Sequence, residues 1–172
     1  MRHLTKAALL VALMAATACT NPGRFNGDGT MAGAGAGGQD AVVPGSADDP
    51  TSVAYFNQTV GDRVLFAVDQ STLSDEARTT LAAQAQWLID NRDYVAIIEG
   101  HADEQGTREY NLALGARRAA AVQEYLISQG ITPTRLKTLT YGKERPLEIC
   151  SAEACYAKNR RAVTVLAAGG MS

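Results

Sequence analysis

From Arg63 to Leu166 the chain alternates short β-forming runs with longer stretches whose apolar residues recur at helical spacing. That alternation constrains the fold more than any other feature. Arg63–Val68 (RVLFAV) reads as a strand. Ser74 can cap a helix, and Asp75 and Glu76 fall in its first turn, where carboxylates suit the positive end of the helix dipole. Ala77, Leu81, Ala85 and Leu88 give this helix an apolar stripe. Val95–Glu99 (VAIIE) is a second strand, stopped by Gly100. Thr107 can cap a second helix whose stripe runs Tyr110, Leu114, Arg118, Ala121, Val122 and Tyr125, with Gly130 at its end. Leu136–Thr140 and Ala162–Leu166 read as the third and fourth strands. The order β-α-β-α-β-β predicts an α/β fold of the α+β sandwich type, a small mixed four-stranded sheet with helices on one side. No internal repeat is visible, and nothing points to a second folded domain or a membrane barrel.

Ahead of this region the texture is different. Thr20–Thr51 is rich in Gly, Ala, Asp and Pro, with MAGAGAGGQD its clearest piece. Such a composition buries too little surface to offset chain entropy and reads as a flexible linker. At about 5–6 Å times the square root of residue number, it spans roughly 30 Å. Earlier still, Arg2 and Lys6 precede an apolar run, Ala7–Ala16, too short for the about 20 residues that cross a bilayer. A charged start, a short apolar run and small residues before a cut describe a secretory signal. The segment Ala16-Thr17-Ala18-Cys19 resembles a lipobox, with Ala16 where Leu is usual. This predicts cleavage before Cys19 and a lipid on that cysteine, with more than one acyl chain for stable anchoring. Thr20 rather than Asp follows the cysteine, which favours the outer membrane, with the domain facing the periplasm. The expected organisation is a signal peptide at 1–18, a lipidated N-terminus and linker at 19–52, and one folded domain at 53–168.

Without Arg2 and Lys6, the 16 basic residues become 14 against 18 acids, a formal charge of −4. That argues against nucleic acid as a partner, which rewards clustered Lys and Arg. Of the three cysteines, Cys150 and Cys155 remain once Cys19 carries lipid. In an oxidising compartment they are expected to pair as a disulfide. A zinc site needs two further ligands, and none lie within sequence reach.

One member of the second helical stripe is out of place. Arg118 stands four residues from both Leu114 and Val122, so it points to the core-facing side. A buried guanidinium needs a partner, because an unpaired buried charge is costly. Asp103, in the loop GHADEQG that leads into this helix, is the candidate. A plain ion pair ordering the loop and an open binding site fit these residues equally well. In the second reading an acid and an arginine facing one cleft select a zwitterionic amino-acid end. Arginine takes the carboxylate in a bidentate fork. Asn111 and the backbone of the Gly106 loop could add neutral hydrogen bonds.

The stretch EGHADEQGTREYNLALGARRAAAVQEYL resembles the signature of the OmpA-like peptidoglycan-binding family. VLFAVDQSTL upstream, and LTYGKERP and NRRAVTV downstream, are similar to it in the same order, so the likeness covers roughly residues 53–166. The resemblance implies non-covalent binding of the diaminopimelate residue of the peptidoglycan stem peptide. Asp103 then meets the ligand ammonium and Arg118 its carboxylate. It further implies that Asn111, Leu114 and Gly106 shape the pocket and its loop, and that Phe66 and Asp69 border it. Many members carry an acid directly after the phenylalanine; here it is Ala67. Arg160 and Arg161 match the NRR of the last strand, with a role in either ligand contact or support. A TolB-like periplasmic protein is the implied partner, with a part in envelope constriction at division, and no cofactor is implied. The alternatives are a structural envelope lipoprotein acting through a protein partner, and a wall-modifying enzyme. For the enzyme, His101, Asp103 and Glu104 offer one imidazole and two carboxylates from one short loop, a thin metal or acid–base set. The other histidine, His3, lies in the expected signal peptide, and no Ser–His–Asp or Cys–His set is evident.

Overall fold

The computed structural model describes residues 42–169. The expected signal peptide, Cys19 and most of the expected linker lie outside the described residues. The first helical element is short: α1 (Val53–Tyr55), capped by the Ser52 hydroxyl, runs on as a π-helix at Phe56–Gly61. Then follow β1 (Arg63–Leu65), α2 (Asp75–Asp90), β2 (Tyr94–His101), α3 (Arg108–Ser128), a 3-10 turn at Pro133–Arg135, β3 (Leu136–Gly142), α4 (Glu153–Asn159) and β4 (Arg161–Ala168).

The sheet has the strand order β1-β4-β2-β3. β4 runs antiparallel to both β1 and β2, while β2 and β3 are parallel and joined through α3. The mixed four-stranded sheet expected from the sequence is therefore present. The expected order gains α1 and the π-helix before β1, and α4 between β3 and β4. β1 is shorter than RVLFAV suggested. The ladder to β4 stops at Leu65, and Phe66 to Leu73 form an irregular segment with Asp69 at φ 57°.

Burial alternates along the strands as a one-sided sheet requires. Val64, Ala96, Ile98, Ala162 and Thr164 are buried, while Leu65, Val165 and Leu139 are half exposed. Helix α2 covers β1 through Ala77, Leu81, Ala85 and Leu88, all buried as its stripe predicted. The Ser74 hydroxyl accepts from the Ala77 amide, the expected cap. Helix α3 lies on β2 and β3. Its close approach rests on two glycines: a Cβ at Gly100 would meet the Gly115 carbonyl oxygen at 1.8 Å, and one at Gly115 would meet Thr140 Oγ1 at 2.5 Å. No side chain larger than hydrogen fits between these backbones. The stripe of α3 is rotated from the expected one. Asn111, Leu114, Gly115, Arg118, Ala119, Val122 and Leu126 are buried, whereas Tyr110 is 42% exposed.

Candidate functional site

β2 ends in an irregularity: Gly100 pairs with Thr140 but His101 pairs with Gly142. The shifted register turns the chain into the loop 102–107, which feeds the N-terminus of α3 at the cap Thr107. Several bonds pin this loop. The Ala102 amide donates to the Gly142 carbonyl at 2.8 Å, and the Gln105 amide to Asp103 Oδ1 at 3.2 Å. Asn111 Nδ2 donates to the Gln105 carbonyl at 2.8 Å, and Lys143 Nζ to the Gly106 carbonyl at 2.7 Å. Gly106 adopts φ 89°, a left-handed conformation that costs glycine little.

The loop, the first turns of α3 and the segment after β1 enclose a cavity of about 280 Å³. It is lined by Val68, Asp69, Asp103, Gln105, Gly106, Tyr110, Asn111 and Leu114. It suits the end of one amino acid rather than a whole glycan. Asp69, Asp103, Gly106, Asn111 and Leu114, expected at a common site, are thus brought together. Val68, Gln105 and Tyr110 were not singled out. The exposure of Tyr110 is the reason it belongs to the cavity wall instead of the core.

Phe66 and Arg118 do not line the cavity. Arg118 is fully buried, and its partners differ from the expected acid. Its Nε donates to the Gln70 carbonyl at 2.8 Å, Nη1 to the His101 carbonyl at 2.8 Å and Nη2 to the Ala67 carbonyl at 3.2 Å. Its guanidinium carbon stands 5.1 Å from the centroid of the buried Phe66 ring, a cation–π contact. Burial pushes its pKa down to about 10, with the Asp103 and Asp69 carboxylates opposing the shift, so it stays charged at neutral pH. Arg118 therefore ties the end of β2 to the segment carrying Val68 and Asp69, and fixes the cavity wall.

The direct ion pair of Asp103 is with Arg160, at 3.2 Å from Nη1 to Oδ2, both side chains being at most a tenth exposed. Arg160 follows α4, and its Nε donates to the Phe66 carbonyl. Its Nη1 and Nη2 also donate to the exposed carboxylate of Glu153. Burial opposes its charge, but the bonds to Glu153 and Asp103 win and hold its pKa above the usual arginine value. The same bond holds the Glu153 carboxyl below the ordinary glutamate range. Arg161 points elsewhere, donating to the Asn159 and Arg145 carbonyls, and so supports the fold.

His101 is buried and neither ring nitrogen makes a hydrogen bond, although Nε2 stands 3.8 Å from the Glu99 carboxylate; its ring centroid is 5.4 Å from that of Tyr141. Burial, with Arg161 and Arg145 adding to it, presses its pKa down to about 4. Among the described residues, no group of three or more His, Cys, Asp or Glu is placed to hold a metal. Cys150 and Cys155 are joined by a disulfide, as the spacing suggested. Also among the described residues, no helix is long and apolar enough to cross a membrane.

Fold and cavity together define a sheet-and-helix domain with a cavity-lining loop between β2 and α3. Residues 65–160 match the OmpA family, and the chain belongs to that family. Among curated proteins it is similar to the peptidoglycan-associated lipoprotein of Mesorhizobium japonicum, 47% identical over 167 residues, covering 97% of this chain and 96% of the relative. It is also similar to the protein of the same name from Agrobacterium fabrum, 50% identical over 137 residues, covering 80% of this chain and 74% of the relative. Among solved structures, the peptidoglycan-associated lipoprotein of Burkholderia pseudomallei superposes with a TM-score of 0.63 at 35% identity, over 70% of this chain and 98% of that one.

Proposed function

We propose that this chain is an envelope lipoprotein that holds peptidoglycan non-covalently through the cavity at the β2–α3 loop, and so tethers the outer membrane to the cell wall. The observation that carries this reading is the placement of Asp103 and Asp69 on one small open cavity, in a chain whose relatives are named for association with peptidoglycan. Two carboxylates around a space of that size suit an ammonium, and the diaminopimelate residue of the stem peptide offers one at its free end. Asp103 takes the ammonium. Asn111, Leu114 and Gly106 shape the pocket, and Phe66 backs the wall that carries Asp69.

Arg118 takes the ligand carboxylate in this proposal. A guanidinium has five N–H groups, and three of those on Arg118 are engaged. One N–H remains on each of Nη1 and Nη2, the pair needed for a bidentate fork. The ligand reaches them if the segment 67–70 shifts, so Arg118 contributes both to the wall at rest and to carboxylate recognition once occupied.

Residues 1–18 act as signal peptide, Cys19 carries the lipid, residues 19–52 form the tether and residues 53–168 the binding domain. A TolB-like periplasmic protein is the second partner, within the Tol–Pal system, and the domain releases its ligand unchanged rather than cleaving it. The test is co-sedimentation of the purified protein with sacculi. The wild-type chain pellets and liberates no muropeptides. Asp103→Ala stays in the supernatant while keeping its circular dichroism spectrum. Pelleting of Asp103→Ala at the wild-type level would remove the site, and liberated fragments would replace binding with catalysis.

A further inference from the structure

Asp103 is held by Arg160, which directly follows the segment that carries the cysteine pair. The disulfide between Cys150 and Cys155 spans 5.9 Å between Cα atoms and closes a loop around Ser151–Ala154. Two contacts run from this closed loop to the cavity. The Ser151 hydroxyl donates to Glu104 Oε1 at 3.1 Å, next to Asp103 in the chain. Glu153 accepts from Arg160, and Arg160 Nη1 also donates to Asp103 Oδ2. Arg160 is thus shared between an exposed carboxylate on the loop and a buried one on the cavity.

At its base the segment is closed by the buried Asn159, whose Oδ1 accepts from the Leu147 and Glu148 amides and whose Nδ2 donates to the Glu148 carbonyl. Helix α4 has seven residues and its N-cap Ala152 offers no side-chain bond, so it is marginal by itself. Ile149, just before the first cysteine, is 88% exposed. Inside that base the covalent link is the constraint nearest Glu153, which stands two residues before the second cysteine.

The consequence is electrostatic. With Glu153 in place, two carboxylates face one guanidinium, and Asp103 keeps negative charge to offer a ligand ammonium. With Glu153 withdrawn, Arg160 neutralises Asp103 alone, and the cavity becomes a weaker cation site. Building on the proposed peptidoglycan reading, we infer that the Cys150–Cys155 disulfide is a positioning element of the ligand site, acting through Glu153 and Arg160 on Asp103. Reduction by a dithiol undoes it. The S–S bond breaks, two electrons and two protons pass to the cysteines as thiols, and the reductant closes to its own disulfide.

The test is a pelleting titration of the full chain, in detergent, against purified sacculi that carry diaminopimelate. Four samples are compared: oxidised wild type, dithiothreitol-reduced wild type, oxidised Glu153→Gln, and reduced Glu153→Gln. The Cys150→Ser/Cys155→Ser variant is a control for reductant effects, and circular dichroism monitors folding throughout. Reduction alone and Glu153→Gln alone are each expected to weaken binding about three-fold, in keeping with an exposed charge contact. The two combined are expected to do no more than either, because they act on one contact. Unchanged affinity on reduction overturns the inference. So does a combined loss of about nine-fold, the product expected if the disulfide acts on general stability and Glu153 separately. Oxidised wild type that fails to pellet removes the peptidoglycan reading, and this inference with it.

Discussion

Arg118 on α3 and Arg160 at the end of α4 both bury a guanidinium near Asp103, and they are satisfied by different chemistry. Arg118 is held by three neutral carbonyls and an aromatic face. Arg160 is held by two carboxylates and one carbonyl. The first arrangement joins three backbone segments and leaves the guanidinium a net positive charge. The second neutralises its arginine and leaves the neighbouring acids to be divided between fold and ligand. One side of the cavity is a mechanical brace with a charge in reserve, and the other is an adjustable ion pair.

The largest expected effect comes from breaking the brace. Arg118→Met would leave the carbonyls of Gln70 and His101 without this donor, while the Ala67 carbonyl keeps the Gln70 amide. A buried unsatisfied group costs about 1–3 kcal/mol, and the His101 carbonyl sits in a fully buried bond while that of Gln70 is only partly buried, so a loss of about 3 kcal/mol is expected in denaturant unfolding, a large part of a small domain's stability. A loss below about 1 kcal/mol would show that the brace is dispensable. Arg160→Met is expected to cost about half as much. It leaves the Asp103 carboxylate and the Phe66 carbonyl without this donor but returns the exposed Glu153 to water, and denaturant unfolding reads the loss. An unchanged unfolding midpoint would mean that the ion pair adds nothing to the fold.

A smaller effect concerns the residue whose carbonyl receives Arg118. The His101 imidazole is held down at about 4, below its ordinary 6.5, so the unfolded chain binds its proton more readily than the folded one. The resulting stability is fully present above about pH 6.5 and is lost as the pH falls toward 4. Among residues 42–169 His101 is the one histidine, so its ring-proton resonances can be followed directly. A midpoint near 4 is expected, with the urea midpoint falling across that window, and a midpoint near 6.5 would show that the ring is not sealed from water.

What could be read from the chain follows the range of each interaction. The caps Ser74 and Thr107, the stripe of α2 and the Cys150–Cys155 pair depend on residues within a turn or two, and the structure has them where their spacing puts them. The oddity of Arg118 inside a helical stripe was legible for the same reason. Its partners were not. They lie 17, 48 and 51 residues earlier and are backbone carbonyls, which carry no side-chain signature. Arg160 and Asp103 are 57 residues apart, and only the β1–β4–β2 order of the sheet brings them together. The irregular segment after Leu65 was hidden too, because Phe66 and Val68 continue the apolar pattern of a strand while Arg118 holds the backbone elsewhere. The rotated face of α3 has a local cause. Asn111 is drawn inward to bond the Gln105 carbonyl, and Tyr110 turns out to the cavity.

The central claim is that a ligand bearing both an ammonium and a carboxylate sits between the adjustable ion pair and the brace. An NMR titration of the isotope-labelled protein with a diaminopimelate-containing stem tripeptide tests it most directly. The expected result is a set of shifts confined to Val68, Asp69, Asp103, Gln105, Gly106, Tyr110, Asn111 and Leu114, with the side-chain Nε signal of Arg118 moving in step. Shifts gathered instead around Tyr55 and Trp87, which line a separate groove of about 440 Å³, or none at millimolar peptide, would contradict it.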